Sequence, residues 1–192
     1  MQGWQDTQRY GATLESLPSD FTTGRGRELR SRLMQPTDAP LLIDLHLRLS
    51  PEARGRRFHQ PLGELDPPAL QKWAKVLTRV DNHAKAGAVL AVAGEGQAEE
   101  IIGVARLMCT RNQGEVEAAI VVRDDYQGEG VATELLKRLV LLAKRMHAQT
   151  IYAMIEADNV PALRVLRGLS LPTRSKTGYG ETELSISVLQ DE

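Results

Sequence analysis

The chain predicts an α/β (α+β) fold, with one central sheet of about six to seven strands and helices on both faces. Three observations carry this. Strand-like and helix-like segments alternate in the order β, α, α, β, β, β, α, β, α, β, with no internal repeat and no low-complexity tract. The segment 116–122 is apolar at both parities: Glu117, Ala119 and Val121 share one face, and Val116, Ala118, Ile120 and Val122 the other. A strand of that kind is central and covered on both sides, with Glu117 as its one anomaly. Finally, Val131, Leu135, Leu139, Leu142 and Met146 recur at helical spacing, widened by Leu136, Val140 and Ala143, as in a helix lying on a sheet.

Taken in order, residues 28–35 form a first strand and 38–49 a first helix. A second helix runs from 66 to 78, with Asp66 as its cap and Pro67 in its first position. Strands at 89–93 and 101–108 flank a hairpin loop at 94–99, and Asn112-Gln113-Gly114 turns the chain into the strand bearing Glu117. The long helix from Val131 follows, then a strand at 150–155, a helix at 160–169 and a last strand at 182–189. Composition changes near residue 27, so residues 1–26 read as an N-terminal arm or irregular lead-in and 27–192 as the domain. The isolated Trp4, Tyr10, Leu14, Leu17 and Phe21 imply that part of the lead-in packs on something, a second subunit of a homodimer being one candidate.

Bulk properties narrow the function. At 192 residues the chain suits a single domain with a sizeable core. Its formal net charge of −1 offers no electrostatic case for nucleic acid. One cysteine, Cys109, excludes an intramolecular disulfide framework and fits a reducing compartment. No apolar run reaches a membrane-spanning length and no apolar signal core opens the chain, so no membrane role and a cytoplasmic location are expected. His46, His59, His83 and His147 lack metal-ligand spacing, and no metal is expected.

The chemistry concentrates at 117–132. The strand breaks into a turn carrying Gly128 and Gly130 and runs directly into the long helix. Such a turn leaves backbone N–H groups converging at a helix N-terminus, where the helix dipole favours a phosphate or pyrophosphate. A P-loop is excluded, since no G-x-x-x-x-G-K-[ST] occurs. Gly128-Glu129-Gly130 also lacks the third glycine of a dinucleotide fingerprint.

Gln127-x-x-Gly130-x-Ala132 resembles the [RQ]-x-x-G-x-[GA] loop of GNAT-type N-acetyltransferases, which cradles the pyrophosphate of acetyl-CoA. The strand 150–155, ending in Glu156-Ala157-Asp158-Asn159, resembles that family's second cofactor segment, where an Asn borders the pantetheine arm. Leu49-Ser50-Pro51-Glu52, followed by Arg57-Phe58, is similar to a segment of the Pat-type protein lysine acetyltransferases. These also carry a catalytic Glu ten residues before the loop, where Glu117 stands before Gln127. The resemblance covers roughly 28–189 and implies a mixed sheet splayed at its middle strands, acetyl-CoA as co-substrate, and a stand-alone catalytic domain. It implies Glu117 as general base, pantetheine pairing with Val121 and Arg123, and an oxyanion donor near Val121 or Val122. The pyrophosphate would lie on the backbone from Gln127 through Gly128, Glu129, Gly130 and Val131 to Ala132, with Asn159 beside the arm. Two positions depart from the family: its frequent thiolate-protonating Tyr is Leu166 here, and the usual Gly-Phe pair is Ser170-Leu171.

Plainer roles stand beside these. Asn159 also reads as a helix cap with Pro161 in the first turn, and Glu117 as a strand-edge surface acid, although Ala119 and Val121 argue against full exposure. Arg25–Arg32 and Arg54–Arg57 read most simply as solvated faces, with a lesser reading on the cofactor's ribose phosphate or an acidic acceptor. The function expected is acetyl transfer from acetyl-CoA to a primary amine by direct attack in a ternary complex, the acceptor being a protein lysine. A small-molecule amine acceptor and a catalytically idle acyl-CoA-binding module are the alternatives.

Overall fold

The computed structural model describes residues 19–58 and 66–188. Eight of the described segments form one sheet. They are β1 (Ser19–Thr22), β2 (Glu28–Leu33), β3 (Ala86–Ala93), β4 (Glu100–Cys109), β5 (Glu115–Val122), β6 (Thr150–Glu156), β7 (Thr173–Gly178) and β8 (Glu181–Ser187). Their order across the sheet is β1-β2-β3-β4-β5-β6-β8-β7. Every neighbouring pair is antiparallel except β5 and β6, so the sheet is mixed.

The described helices are α1 (Ala39–Arg48), α2 (Pro51–Phe58), α3 (Pro67–Leu77), α4 (Val131–Arg145) and α5 (Val160–Arg167). They lie on both faces of the sheet. On one, α4 and α5 seal a core with Leu135, Leu139, Leu142, Ile151, Leu163 and Leu184. On the other, α1 and α3 cover Ala88, Leu90, Val92 and Val104. The two parities of β5 part accordingly, with Val116 and Val122 in the first core and Val121 against the second. None of the described helices is long and apolar enough to cross a membrane.

Two of the eight strands were not placed from the sequence. β1 lies within the stretch read as a lead-in, and its Ser19 and Phe21 pair with Ser31 and Leu29. Phe21, one of the aromatics expected to pack, rests against the domain's own core, with the Arg138 guanidinium 5.4 Å from its ring centroid. Trp4, Tyr10, Leu14 and Leu17 lie outside the described residues. β7 reads Thr-Arg-Ser-Lys-Thr-Gly and has no apolar alternation to announce it. It is an outermost strand, where charged side chains discourage pairing with another chain. Its turn into β8 has φ of 53° at Tyr179 and 84° at Gly180, the double positive φ of a tight hairpin.

The feature that makes a site is the β5–β6 pairing. It covers only Glu115↔Thr150, Val116↔Ile151 and Glu117↔Tyr152. Beyond it β5 stays with β4 as far as Val122, and β6 stays with β8 as far as Glu156. The sheet is thus splayed at its middle. α4 is seated beside the opening by Leu135, Leu139 and Leu142, each 0% exposed. Leu139→Ala should therefore lower unfolding stability by about 2–5 kcal/mol. The expected readout is a lower urea midpoint with an unchanged slope; an unmoved midpoint would mean that α4 is not bound through this face.

Candidate active site

Between the splayed strands and the N-terminus of α4 lies a cleft of about 490 Å³. A smaller chamber of about 110 Å³ adjoins it. The two share Arg56, Arg57, Ile120, Asn159 and Leu166 as walls.

The glycine turn forms one end of the cleft. Gly128 and Gly130 hold φ of 75° and 88°, and a Cβ built at either position would meet nothing within 4 Å. Gly130 is also the N-cap residue of α4 and offers no side-chain cap, so the first-turn amides from Val131 onward open into the cleft. These glycines leave a backbone cradle open at a positive helix end, which fits a diphosphate. Gln127 closes the turn by donating from Nε2 to the Val122 carbonyl at 3.1 Å.

α2 forms the opposite wall, and the Leu49-Ser50-Pro51-Glu52 segment explains how it is held. Ser50 donates from its backbone N and from Oγ to the two oxygens of Asp124, at 2.9 and 2.6 Å. Its Oγ also accepts from the Ala53 N–H at 3.1 Å, in the manner of a helix cap. One serine therefore starts α2 and ties it to the segment leading into the glycine turn. Arg56 and Arg57, read from the sequence most simply as a solvated face and secondarily as cofactor or acceptor contacts, line both compartments. Arg56 pairs with Glu52 at 3.0 Å and reaches Glu156 of β6 at 3.6 Å. Burial pushes the Arg57 guanidinium down to about 10; Arg106 adds to this and Glu117 opposes it. It remains cationic at neutral pH. The Arg57-Phe58 pair was the sequence signal that could have placed this arginine in the site.

Glu117 lines the smaller chamber with Met154 and Glu156. It is exposed rather than shielded by its strand neighbours, because β6 parts from β5 immediately beyond it. Across that last pairing stands Tyr152, whose hydroxyl is raised above its ordinary pKa by burial first and then by Glu183, Glu117 and other nearby carboxylates. Asn159 lines both compartments and caps α5, its Oδ1 accepting from the Ala162 N–H at 3.3 Å. The capping role and the cleft position therefore coexist.

Val121, Val122, Gln127, Gly128, Gly130, Val131, Ala132 and Asn159 all line the main cleft. Arg123 and Glu129 line neither compartment. The Arg123 N–H donates to the Ile102 carbonyl at 2.8 Å, and its guanidinium is held by Asp125 and Glu100. The Val121 carbonyl also points toward β4, 3.1 Å from where a Gly103 Cβ would stand. Backbone direction alternates along a strand, so the groups of Ile120 and Val122 face the splay. This corrects the expected pairing through Val121 and Arg123 by one residue: Ile120 and Val122 carry the free edge. Glu129 contributes backbone to the turn, but its side chain points away from the cleft into the β1–β2 turn. Hydrogen bonding from Arg27 is the main cause holding its carboxyl below the usual carboxylate range.

Comparison with known proteins identifies the family and the fold. A family model described as an acetyltransferase (GNAT) domain matches residues 28–170. The chain is similar to the acetyltransferase PA5475 of Pseudomonas aeruginosa, at 28% identity over 134 residues spanning 70% of this chain and 69% of that protein. The GNAT domain of S. lividans PAT shares the fold with a TM-score of 0.74 at 22% identity, over 88% of this chain and 96% of that one. The fold is shared as well by yncA of Salmonella typhimurium, solved with its cofactor acetyl-CoA, with a TM-score of 0.61 at 15% identity over 85% and 96% of the two chains.

A side chain at Gly130 would fill the cradle and strain a backbone held at positive φ. Gly130→Val should weaken acetyl-CoA binding at least about tenfold. Calorimetry on the folded variant checks this, and unchanged affinity would remove the turn from the cofactor site.

Proposed function

Because the chain belongs to the GNAT acetyltransferase family and uses acetyl-CoA as acetyl donor, we propose that it acetylates protein lysine side chains with Glu117 as general base. The observation that carries this reading is the position of Glu117. It is an exposed carboxylate in a small chamber that shares walls with the main cleft. Such a base suits an amine at the tip of a long side chain, reaching in while its own protein stays outside. The Leu49-Ser50-Pro51-Glu52 and Arg57-Phe58 segments, similar to those of Pat-type enzymes, support the same acceptor class.

When bound, acetyl-CoA supplies an activated thioester. The N–H groups from Gly128 to Ala132 hold the pyrophosphate, and the splay-facing backbone of Ile120 and Val122 lines up the pantetheine arm and offers donors to the carbonyl oxygen. Asn159 borders the arm. A lysine amine has a reference pKa near 10.4, so only about one in a thousand is nucleophilic at neutral pH. Glu117 accepts that amine's proton, directly or through one water, a contribution of typically ~10²–10⁴-fold. Leu166 lines both compartments at the position where many relatives carry a Tyr, so it has no proton to give. With a thiol pKa near ~8.5, the sulfur leaves as thiolate at modest cost.

Acetylation profiling by mass spectrometry, with acetyl-CoA against candidate proteins and a panel of small amines, tests the acceptor. Lysine-acetylated protein is the expected product; turnover of small amines alone would refute the protein-lysine reading. For the base, Glu117→Gln should lower kcat by ~10²–10⁴-fold and leave acetyl-CoA affinity near wild type. A Gln variant with normal kcat would make Glu117 structural.

A missing general acid also has a direct test. Tyr126→Phe, Tyr152→Phe and Tyr179→Phe should each keep most of kcat. A loss beyond ~30-fold at one of them, about 2 kcal/mol in the barrier, would identify a proton donor for the leaving sulfur.

A further inference from the structure

The match to the family begins at residue 28, yet the glycine turn is gripped by residues that precede it. A glutamate between the two glycines of a phosphate cradle is an oddity, since a carboxylate beside a diphosphate repels it. Here the Glu129 side chain is turned out of the cleft and is 1% exposed. Its Oε2 accepts from Thr23 Oγ1 at 2.8 Å and from Arg27 Nε at 3.0 Å, and its Oε1 accepts from Arg27 Nη2. The Glu129 carbonyl accepts from the Gly24 N–H at 2.8 Å. Arg27 Nη2 also donates to the Asp125 carbonyl at 2.5 Å, and the guanidinium lies 3.4 Å from the Tyr126 ring centroid. The gripping turn is itself closed. Thr23 N donates to the Arg27 carbonyl at 2.9 Å, Gly26 N to the Thr23 carbonyl at 2.9 Å, and the β1–β2 ladder resumes at Thr22↔Glu28.

We propose that Thr23 and Arg27 are positioning residues for the cofactor loop: they hold Glu129, and through it the turn at 128–130, in the diphosphate-binding shape before the ligand arrives, while Arg27 neutralises the loop's own carboxylate. This rests on the assignment of residues 127–132 to the pyrophosphate. A turn with two left-handed glycines has much conformational freedom to lose. Ordering it in advance removes that cost from the binding step, and pairing Glu129 removes a repulsive charge from beside the phosphates. The β1–β2 turn, which precedes the matched region, is thereby part of the cofactor site.

The test measures acetyl-CoA dissociation constants by calorimetry and hydrogen exchange of the ligand-free protein in T23V, R27M, E129Q and R27M/E129Q. R27M should raise the dissociation constant about ten- to a hundredfold and speed exchange at amides 127–132 while leaving the body of α4 protected. Adding E129Q to R27M should recover part of the affinity, because the carboxylate, left with Thr23 and the more distant Arg25 at 3.7 Å, is then gone. T23V removes one hydrogen bond and should act in the same direction more weakly, which keeps the proposal testable if R27M does not fold. Wild-type affinity and exchange in T23V and in a folded R27M would overturn it, as would faster exchange spread over the whole sheet. If Gly130→Val leaves affinity intact, the loop assignment itself fails; if that variant binds weakly while R27M binds normally, the positioning role alone fails.

Discussion

The parallel pairing of β5 with β6 stops at Glu117 and Tyr152 because each strand then follows its other neighbour, β5 along β4 and β6 along β8. Sheet twist carries the two apart, and the backbone groups left along the gap have no ladder to satisfy them. One is taken up internally, where Gln127 reaches back to the Val122 carbonyl. The rest of the splay-facing edge at Ile120 and Val122 is free for an extended ligand arm to pair with, as an added strand would. The same departure leaves Glu117 open to solvent at the end of the paired region. An open cleft and an exposed carboxylate are therefore two consequences of one interrupted ladder.

Around that gap the structure fixes parts that are far apart in sequence by a few polar ties. Ser50 binds α2 to Asp124, tying the wall that carries Arg56 and Arg57 to the segment leading into the glycine turn. Arg123, pinned by Glu100 and Asp125, holds the end of β5 against β4. Arg27 sits over Tyr126 and binds Glu129 on the far side of the turn. Charged groups partly withdrawn from water are costly unless paired with good geometry, and here the pairs fall where loops meet. They hold irregular backbone that apolar packing alone would leave loose.

Much of this was legible along the chain. The apolar stripe of α4, the double parity of β5 and the glycines between them are local patterns with one good solution each. Asn159 followed by Pro161 reads as a helix start, and it is one. The edge strands escaped notice for a physical reason: β1 is four residues long and β7 is polar on both faces, so neither buries enough to leave a periodic signature. Arg56 and Arg57 escaped because a basic run on a short helix reads as solvated until the helix is known to lie over a gap.

Side-chain alternation determined from sequence which face of the sheet each residue of β5 meets, since that period is a property of the strand itself. Which residues offer their backbone to the splay depends on register with β4, and the tertiary pairing of Val122 with Gly103 decided for Ile120 and Val122 over Val121 and Arg123. The cradle's location was likewise set by sequence, because glycine's freedom and the helix N-terminus are local. The direction of the Glu129 side chain was not, for its partners Thr23 and Arg27 lie 106 and 102 residues away. Local conformational preference places a loop; only long-range packing supplies the charge that pairs the carboxylate buried beside it.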